Sequence, residues 1–283
     1  MIIKTDLSSS GELQQRISKI FLREFRQSEK SDALHLLLGS IDYTSLEGSD
    51  TDDSIHNLCS RAKKFHTNKE GMPNAAAVCI YPTFVKLAKA DLRDSGVAVA
   101  AVAGAFPSGQ MPISIKLAEI NYATDQGAEE IDMVISRGLF LEGRHEEVFN
   151  EIAAIRKATQ GVCLKVILET GELITPGNIR LASEMAIQAG ADFICTSTGK
   201  ITPASTEEAV LVIIDVIKEY HDLTGKMIGI KPAGGIGEPG QALRYFQLVQ
   251  LELGPEWLNR SYFRLGANCL ADELMKLMLT ETA

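Results

Sequence analysis

The sequence has no long hydrophobic run and no excess of positive charge, and each absence argues against a class of protein. No apolar stretch approaches the roughly 20 residues that a transmembrane helix needs, and the opening "MIIKTDLSSSGELQQRISKIFLREF" lacks the apolar core of a secretory signal. The 28 basic residues are outnumbered by 37 acidic ones, for a net charge of -9, which argues against nucleic acid as a partner. We therefore expect a cytoplasmic protein that binds neither membrane nor nucleic acid.

Cysteine is also scarce, with five residues scattered without a C-x-x-C pair. This odd number and spacing favour neither disulfide bonds nor a thiolate zinc site, and they agree with a reducing compartment. The five histidines form no cluster with metal-ligand spacing either. We expect no metal site.

What the sequence does contain is a regular alternation of short apolar runs and longer amphipathic stretches. The runs are continuously apolar, as in strands covered on both faces. Eight strand–helix units predict an α/β fold with a parallel sheet closed into a (β/α)8 TIM barrel, as one domain over residues 1–283, with an extra N-terminal helix at 13–25. A doubly wound open sheet is the alternative. The predicted strands are 34–42, 75–81, 97–104, 129–135, 162–169, 191–197, 227–232 and 261–267, and the helices that follow them are 53–65, 83–94, 114–126, 142–158, 177–189, 206–220, 238–252 and 270–279.

Two lysines lie near the predicted carboxyl ends of neighbouring strands, in "FICTSTGK" and "IGIKPAGG". Strand ends of this kind face the active site of a barrel, so Lys200 and Lys231 are predicted to share one cavity. A lysine amine is a nucleophile only when neutral, and burial or a second cation lowers its pKa. One amine would attack a carbonyl while the other keeps it unprotonated, and the residues alone do not choose which one attacks.

Carboxylates in the same strands allow two interpretations. In a structural one, Lys231 and Lys165 form ion pairs with Asp132 or Glu169, because an unpaired buried charge is costly. In a functional one, Asp132 moves a proton at the carbon beside an imine, with Asp42 as a second candidate. Both roles can hold together for Asp132.

Glycines follow the last two strands in "PAGGIG" and "RLGAN". This is the usual phosphate site of a barrel, where backbone N–H groups bind an anion, and Gly234, Gly235 and Gly266 would allow close approach. A simple tight turn is the alternative for either loop. The stretch after the seventh strand also matches the dinucleotide-binding motif G-x-G-x-x-G. It comes late in the chain and lacks the acidic residue that this motif expects downstream, so it is only weak evidence for a nicotinamide site.

These motifs resemble the class I 2-deoxyribose-5-phosphate aldolase family over nearly the full length of the chain. The resemblance rests on "IDYTSL", "VCIYP", "EIDMVI", "LKVILETGEL", "GADFICTSTGK", "GIKPAGGI" and "RLGAN". It implies a (β/α)8 aldolase that needs no metal or other cofactor and interconverts 2-deoxyribose 5-phosphate with acetaldehyde and glyceraldehyde 3-phosphate. Its partners would be phosphosugars and aldehydes, and a homodimer is left open.

Carried over by motif, the resemblance makes Lys200 the Schiff-base lysine, Lys231 the residue that lowers its pKa, and Asp132 the proton-transfer carboxylate. It also implies a set of residues that bind the substrate and its phosphate. These are Asp42, Thr44, Cys79, Lys165, Thr198, Gly199, Gly234, Gly235, Gly266, Ala267 and Asn268.

The chain departs from the family at several positions. Asn268 and Cys269 stand where two serines are common, which replaces two phosphate-binding hydroxyls with an amide and a thiol. Cys195 stands where a lysine is often seen, which removes a positive charge near the mouth of the barrel. Ala105 stands where a polar residue can occur. Two other functions stay open from the sequence, namely a phosphosugar isomerase on a barrel and a non-catalytic phosphosugar-binding protein.

Overall fold

The computed structural model describes residues 9–65 and 71–280. Its centre is a sheet of eight short strands, all paired in parallel, in the order β7-β6-β5-β4-β3-β2-β1-β8. The strands are β1 (Ile41–Thr44), β2 (Ala77–Ile80), β3 (Ala98–Ala103), β4 (Glu130–Val134), β5 (Cys163–Ile167), β6 (Phe193–Cys195), β7 (Gly229–Lys231) and β8 (Leu265–Ala267).

The two ends of this sheet meet and close it into a barrel. Parallel bridges join Ile230 to Phe263 and Ala233 to Gly266, and the N–H of Gly266 donates to the carbonyl of Pro232 at 2.9 Å. The strand order follows the chain order around the ring, as right-handed strand–helix–strand units require. The predicted TIM barrel is therefore confirmed, and the open sheet is excluded.

Helices surround the barrel, and most begin and end within a few residues of the predicted positions. They are α1 (Ser10–Phe21), α2 (Gln27–Gly39), α3 (Asp52–Ala62), α4 (Val85–Asp91), α5 (Ile113–Asp125), α6 (Arg137–Leu141), α7 (His145–Ala158), α8 (Thr170–Leu173), α9 (Pro176–Gln188), α10 (Glu207–Thr224), α11 (Pro239–Glu252) and α12 (Leu270–Thr280). Short 3₁₀ turns at Pro82–Phe84 and Pro255–Trp257 complete the connections. Among the described residues, no helix is both long and apolar enough to cross a membrane.

The prediction was wrong at the amino-terminal end, where two helices precede the barrel instead of one. Residues 34–39 belong to α2, although they were predicted to begin the first strand. Leu34, Leu37 and Leu38 follow a three- and four-residue spacing and are fully buried. A short apolar run fits a buried helix as well as a buried strand, so its periodicity does not decide between them.

Two further differences concern the turns between elements. The predicted helix 142–158 begins three residues later, as α7, and the short helix α6 before it was not predicted. Gly143 between the two helices has φ +78°, which ends a right-handed helix. The single turn α8 lies just after β5 and was not predicted. It begins beside Glu169, whose own backbone is left-handed.

One large apolar core lies between the outside of the barrel and the helices. Inside the barrel, toward the carboxyl ends of the strands, two small apolar clusters face each other, and Phe106 packs against both. The first contains Leu46, Ala77, Cys79, Ala100 and Val102, and the second contains Val134, Ile167, Cys195 and Ala233. These clusters form the apolar walls of the site described next.

Candidate active site

A cavity of about 390 Å³ opens among the carboxyl ends of the strands and the loops that follow them. Its position is the one at which barrel enzymes carry their active sites. Predicted site residues that line it are Thr44, Cys79, Asp132, Thr198, Gly199, Lys200, Lys231, Gly234, Gly235, Gly266, Ala267 and Asn268. The cavity therefore brings together side chains from distant parts of the sequence.

Lys231 is the last residue of β7 and lies at the floor of the cavity with 3% of its surface exposed. Its Nζ contacts Asp132 Oδ2 at 2.5 Å and Asp42 Oδ2 at 2.6 Å. Gly266 on the neighbouring strand β8 makes room for this side chain, because a Cβ there would lie 3.2 Å from Lys231 Cε and 2.7 Å from Ala233 Cβ. The strand pairing and the missing side chain together fix the lysine between two carboxylates.

The carboxylates are held from below by other buried charges, so that three acidic and three basic side chains form one network. Lys165 Nζ contacts Asp42 Oδ2 at 3.0 Å, Asp132 Oδ1 at 2.9 Å and Glu130 Oε2 at 2.5 Å. Arg264, just before β8, contacts Asp42 Oδ1 at 2.6 Å and Glu130 Oε1 at 2.7 Å. Each charge has an opposite partner, which is the condition under which burial of ions is tolerated.

Asp42 and Lys165 therefore differ from their predicted role in the pocket. Both are fully buried, and neither is among the residues that line the cavity. Asp42 and Lys165 lie behind the cavity wall, where Asp42 contacts Lys231 and Lys165 contacts Asp132. Thr44, in contrast, lines the cavity, and its hydroxyl donates to the carbonyl of Asp42 at 2.8 Å.

The network sets the protonation of its members. Burial alone would lower the pKa of the Lys231 amine, but Asp132 and Asp42 outweigh it and raise that pKa above its ordinary value. Burial would raise the pKa of the Asp132 carboxyl, yet Lys165 and Lys231 outweigh it and lower that pKa. Asp42 behaves in the same way and more strongly. Lys231 is therefore an ammonium ion between two carboxylates.

Lys200 lies at the rim of the same cavity, where its surroundings differ from those predicted. It follows β6 by five residues in the loop 196–206, and 31% of its side chain is exposed. Its Nζ contacts Glu47 Oε1 at 2.8 Å, and Glu47 lies in the loop after β1. The strand β6 ends at Cys195, two residues before its predicted end, and the chain then leaves the barrel wall before it reaches Lys200.

The residue beside Lys231 in the barrel is Cys195. The two are paired in the register of β6 and β7, and both line the cavity. Burial raises the pKa of the Cys195 thiol to about 12, so the thiol is uncharged at neutral pH. The neighbouring strand position thus holds a small neutral group, where a lysine would place a second cation against Lys231.

The glycine-rich loops meet at the other side of the rim. Gly234 has φ +82°, and a Cβ there would lie 2.7 Å from Gly199 Cα. The loops after β6 and β7 can pack together only because both residues lack side chains. Gly235 has φ +72°, with open space where a Cβ would be. Asn268 and Cys269 continue this rim after β8, and Cys269 is exposed. The loops thus meet on the side where an anion is expected, with the N–H groups of Gly234 and Gly266 donating to the carbonyls of Gly266 and Pro232.

Sequence reasoning missed several residues of the site. Glu47 was not predicted, although it lies opposite Lys200 and lines the cavity, as do Phe106 and Ser197. Glu169 was considered only as an ion-pair partner, but its carboxylate accepts hydrogen bonds from the backbone and side chain of Thr198 and so holds the loop after β6. No local sequence pattern predicts these residues, because their contacts join loops that are far apart in the chain.

Within residues 9–65 and 71–280, no group of three or more His, Cys, Asp or Glu side chains is arranged to hold a metal ion. The acidic side chains at the floor of the cavity contact lysine and arginine instead.

Comparison with solved structures places the fold among aldolase barrels. A deoxyribose phosphate aldolase from Aeropyrum pernix superposes with a TM-score of 0.70, covers 96% of this chain and 99% of its own, and is 23% identical. A protein described as "QR15, an Aldolase" gives a TM-score of 0.69 at 26% identity, over 87% of this chain and 97% of its own. The first likeness, at this identity, concerns the fold alone.

Comparison at the level of sequence is closer. The deoxyribose-phosphate aldolase of Homo sapiens is 42% identical over 245 residues, which are 83% of this chain and 77% of the human protein. That of Agrobacterium fabrum is 41% identical over 249 residues, which are 87% of this chain and 92% of the bacterial protein. Residues 37–244 match the model of the DeoC/LacD family aldolases. The chain therefore belongs to the DeoC/LacD family of aldolases, a family of class I lyases.

Proposed function

We propose that the protein cleaves 2-deoxy-D-ribose 5-phosphate reversibly to acetaldehyde and D-glyceraldehyde 3-phosphate through a lysine imine. The observation that carries the proposal is the floor of the cavity, where the Lys231 amine lies 2.5 Å from the Asp132 carboxylate. An amine and a proton-transfer group in one enclosed site are what imine chemistry requires. The names of the human and Agrobacterium fabrum relatives support this substrate.

The chemistry follows from the electron demand of the cleavage. A neutral lysine amine adds to the C1 aldehyde of the open-chain sugar, and loss of water leaves an iminium ion. The C2–C3 bond then breaks toward the iminium carbon, while the C3 hydroxyl loses its proton and becomes the aldehyde of glyceraldehyde 3-phosphate. Asp132, directly or through a water, would protonate the resulting enamine, and hydrolysis would release acetaldehyde.

The phosphate would bind at the rim formed by Gly234, Gly235, Gly266 and Asn268. Backbone N–H groups in glycine-rich loops bind phosphate without needing a charged side chain. Asn268 can donate a hydrogen bond, whereas a thiol at Cys269 donates only weakly. We therefore expect phosphate to be bound through the backbone more than through side chains.

Turnover of 2-deoxyribose 5-phosphate by the purified protein tests this function. The release of glyceraldehyde 3-phosphate is followed with a coupled dehydrogenase, and Asp132→Asn is the matched variant with little change in volume. Formation of both aldehydes by the native protein is expected. Binding of the phosphosugar with no turnover would instead support a non-catalytic phosphosugar-binding protein.

A specific observation favours the non-catalytic phosphosugar-binding protein. The neighbour of Lys231 on β6 is the neutral Cys195, so no cation on that strand lowers the pKa of the Lys231 amine, which stays protonated. A protonated amine is not a nucleophile. An isomerase has no such support, and the relatives do not favour it. Conversion of the sugar phosphate to an isomeric sugar phosphate, without release of acetaldehyde, would be its signature.

We further propose that the protein acts in the cytoplasm on phosphosugars and aldehydes, without nucleic acid or membrane. All five cysteines are free thiols, as a reducing compartment allows. A homodimer is the assembly to test first. Light scattering coupled to size-exclusion chromatography would measure the mass of the assembly. Fractionation of the cells that make the protein would show its compartment.

A further inference from the structure

We infer that Lys231, and not Lys200, is the amine that forms the imine in this protein. This inference rests on the proposed aldolase function and assigns its nucleophile. It reverses the roles that the motif resemblance gives to the two lysines, and it answers the question that the residues alone left open.

The first support is where the proton-transfer groups are. The enamine must be protonated at the carbon next to the imine, so the acid has to lie close to the nitrogen that carries the substrate. Asp132 Oδ2 is 2.5 Å from the Lys231 Nζ, and Asp42 Oδ2 is 2.6 Å from the same nitrogen. An imine on Lys231 would therefore form within reach of two carboxylates that can accept and return protons.

The second support is how rigidly each amine is held. Lys231 belongs to a central strand, is almost fully buried, and has its side chain seated against Gly266. Lys200 belongs to a loop, is about one third exposed, and contacts the mostly exposed carboxylate of Glu47. Covalent catalysis depends on a nucleophile held in one geometry in a site that excludes water, and only Lys231 meets that condition.

The third support is the residue at position 195. The strand neighbour of Lys231 on β6 is Cys195, so no amine stands on β6 at the level of Lys231. The other lysine of the network is Lys165, which is itself held by three carboxylates and does not line the cavity. Of the two lysines that line the cavity, Lys231 is thus the one at the floor.

The step balances with groups already in the site. The Lys231 ammonium transfers one proton to Asp132 or Asp42, and the nitrogen lone pair forms a bond to the aldehyde carbon. The carbonyl electron pair moves to oxygen, which takes a proton from the carboxyl group to give a carbinolamine. A second proton, from the nitrogen through the same carboxylate, lets the oxygen leave as water and leaves the iminium ion. No oxidant, reductant or metal ion is consumed.

Reductive trapping identifies the nitrogen directly. The native protein is incubated with acetaldehyde and cyanoborohydride, which reduces an iminium ion to a stable ethyl group on the lysine. Digestion and mass spectrometry then locate the ethyl group. We expect it on Lys231, on the peptide that contains "IGIKPAGG". An ethyl group on Lys200 instead would overturn the inference and leave the aldolase function intact.

Two matched variants make the result independent of a single measurement. Arginine keeps a positive charge but forms no imine under these conditions, because it is not deprotonated in proteins. Lys231→Arg retains a cation for Asp42 and Asp132 and should abolish the trapped adduct, while Lys200→Arg should still give it. Circular dichroism and thermal unfolding verify that both variants fold.

The converse pattern, with the adduct lost in Lys200→Arg and kept in Lys231→Arg, would overturn the inference. No adduct in the native protein, together with no turnover, would overturn both the inference and the aldolase function. The assignment of the nucleophile and the proposal of the reaction therefore fail in distinguishable ways.

Discussion

The floor and the rim of the cavity each hold a lysine paired with acid, yet the two places differ in almost every physical respect. At the floor, Lys231 is part of a strand and contacts two buried carboxylates. At the rim, Lys200 is part of a loop and contacts one carboxylate that is 67% exposed. Buried ion pairs are strongly coupled, whereas exposed ones are weakened by water and salt.

This difference shows that the position of a lysine in a motif does not determine its chemistry. Each lysine comes at the end of an apolar run or a few residues after it, so the sequence alone does not distinguish their surroundings. The barrel separates them because β7 ends at Lys231, whereas β6 ends five residues before Lys200. We expect the floor to govern catalysis and stability, and the rim to adjust substrate binding.

The largest effect is expected at the floor, from removal of the proton-transfer group. Asp132→Asn should lower kcat/KM by about 10² to 10⁴, which is the usual contribution of general acid–base catalysis. Asp215→Asn, in α10 and outside the cavity lining, is the control and should keep the native rate. Equal rates for the two variants would remove Asp132 from the mechanism.

The support beneath the floor is the next place to test. Arg264→Met leaves Glu130 and Asp42 with fewer cations in a buried site, and should lower the free energy of unfolding by about 3–5 kcal/mol. Arg244→Met breaks the exposed pair with Glu207 and should change that free energy by less than about 1 kcal/mol. Urea unfolding of both variants makes the measurement, and similar losses would contradict the contrast between buried and exposed pairs.

The pH dependence of turnover follows from the raised pKa of Lys231. Since this amine is protonated at neutral pH, its neutral fraction and kcat/KM should rise about tenfold per pH unit from about pH 7 to 9. The substrate phosphate is already a dianion over most of this range. The titratable groups that face Lys231 are Asp42, Asp132, Lys165, Cys79 and Cys195.

These neighbours should keep their charge over the same range. The carboxyl pKa values are lowered, the Lys165 pKa is raised, and both thiol pKa values are raised, to about 12 for Cys195. The expected rise therefore reports on Lys231. A plateau already at pH 7 would mean that the attacking amine is neutral there, and would contradict a protonated Lys231 as the nucleophile.

A smaller effect, an increase in the rate of imine trapping, is expected when a second cation is introduced at the floor of the cavity. Cys195→Lys places an amine next to Lys231 in the β6–β7 register, and repulsion between like charges should lower the pKa of the pair by about one unit or more. Trapping with acetaldehyde at pH 7 should then become about tenfold faster. Cys195→Met, without a charge, is the control. Equal trapping rates in both variants would show that the missing cation does not limit the native protein.

The smallest effect is expected at the rim. Glu47→Gln removes a carboxylate from the cavity mouth and releases the Lys200 amine from its ion pair. The KM for 2-deoxyribose 5-phosphate should fall about two- to fivefold, as expected for an exposed pair, while the KM for unphosphorylated 2-deoxyribose stays constant. A change of kcat instead of KM would indicate that Lys200 takes part in the chemical step and not only in substrate binding.

Much of the fold could be predicted from the sequence because strands buried on both faces leave a continuous apolar signal. The exception, residues 34–39, shows the limit of that signal, since α2 buries the same leucines as a strand would. The glycines at 199 and 234 were partly predictable. Their positive φ is a local property, but their contact with each other arises from the packing of two loops.

The site was less predictable than the barrel because its contacts join residues far apart in the chain. Asp42 and Lys165 are 123 residues apart and form an ion pair only because β1 and β5 face the same interior. Glu47 and Lys200 are 153 residues apart and meet across the mouth. No spacing rule along one strand or helix contains this information.

The sequence by itself determined the alternation of strands and helices, the buried lysine in "GIKP" and the glycines after the last strands, because burial and backbone freedom are properties of local composition. Only the tertiary structure decided which lysine stands between two carboxylates and which lies at the open rim. The physical reason is that protonation and nucleophilicity depend on the distance between charges and on their access to water, and closure of the barrel sets both.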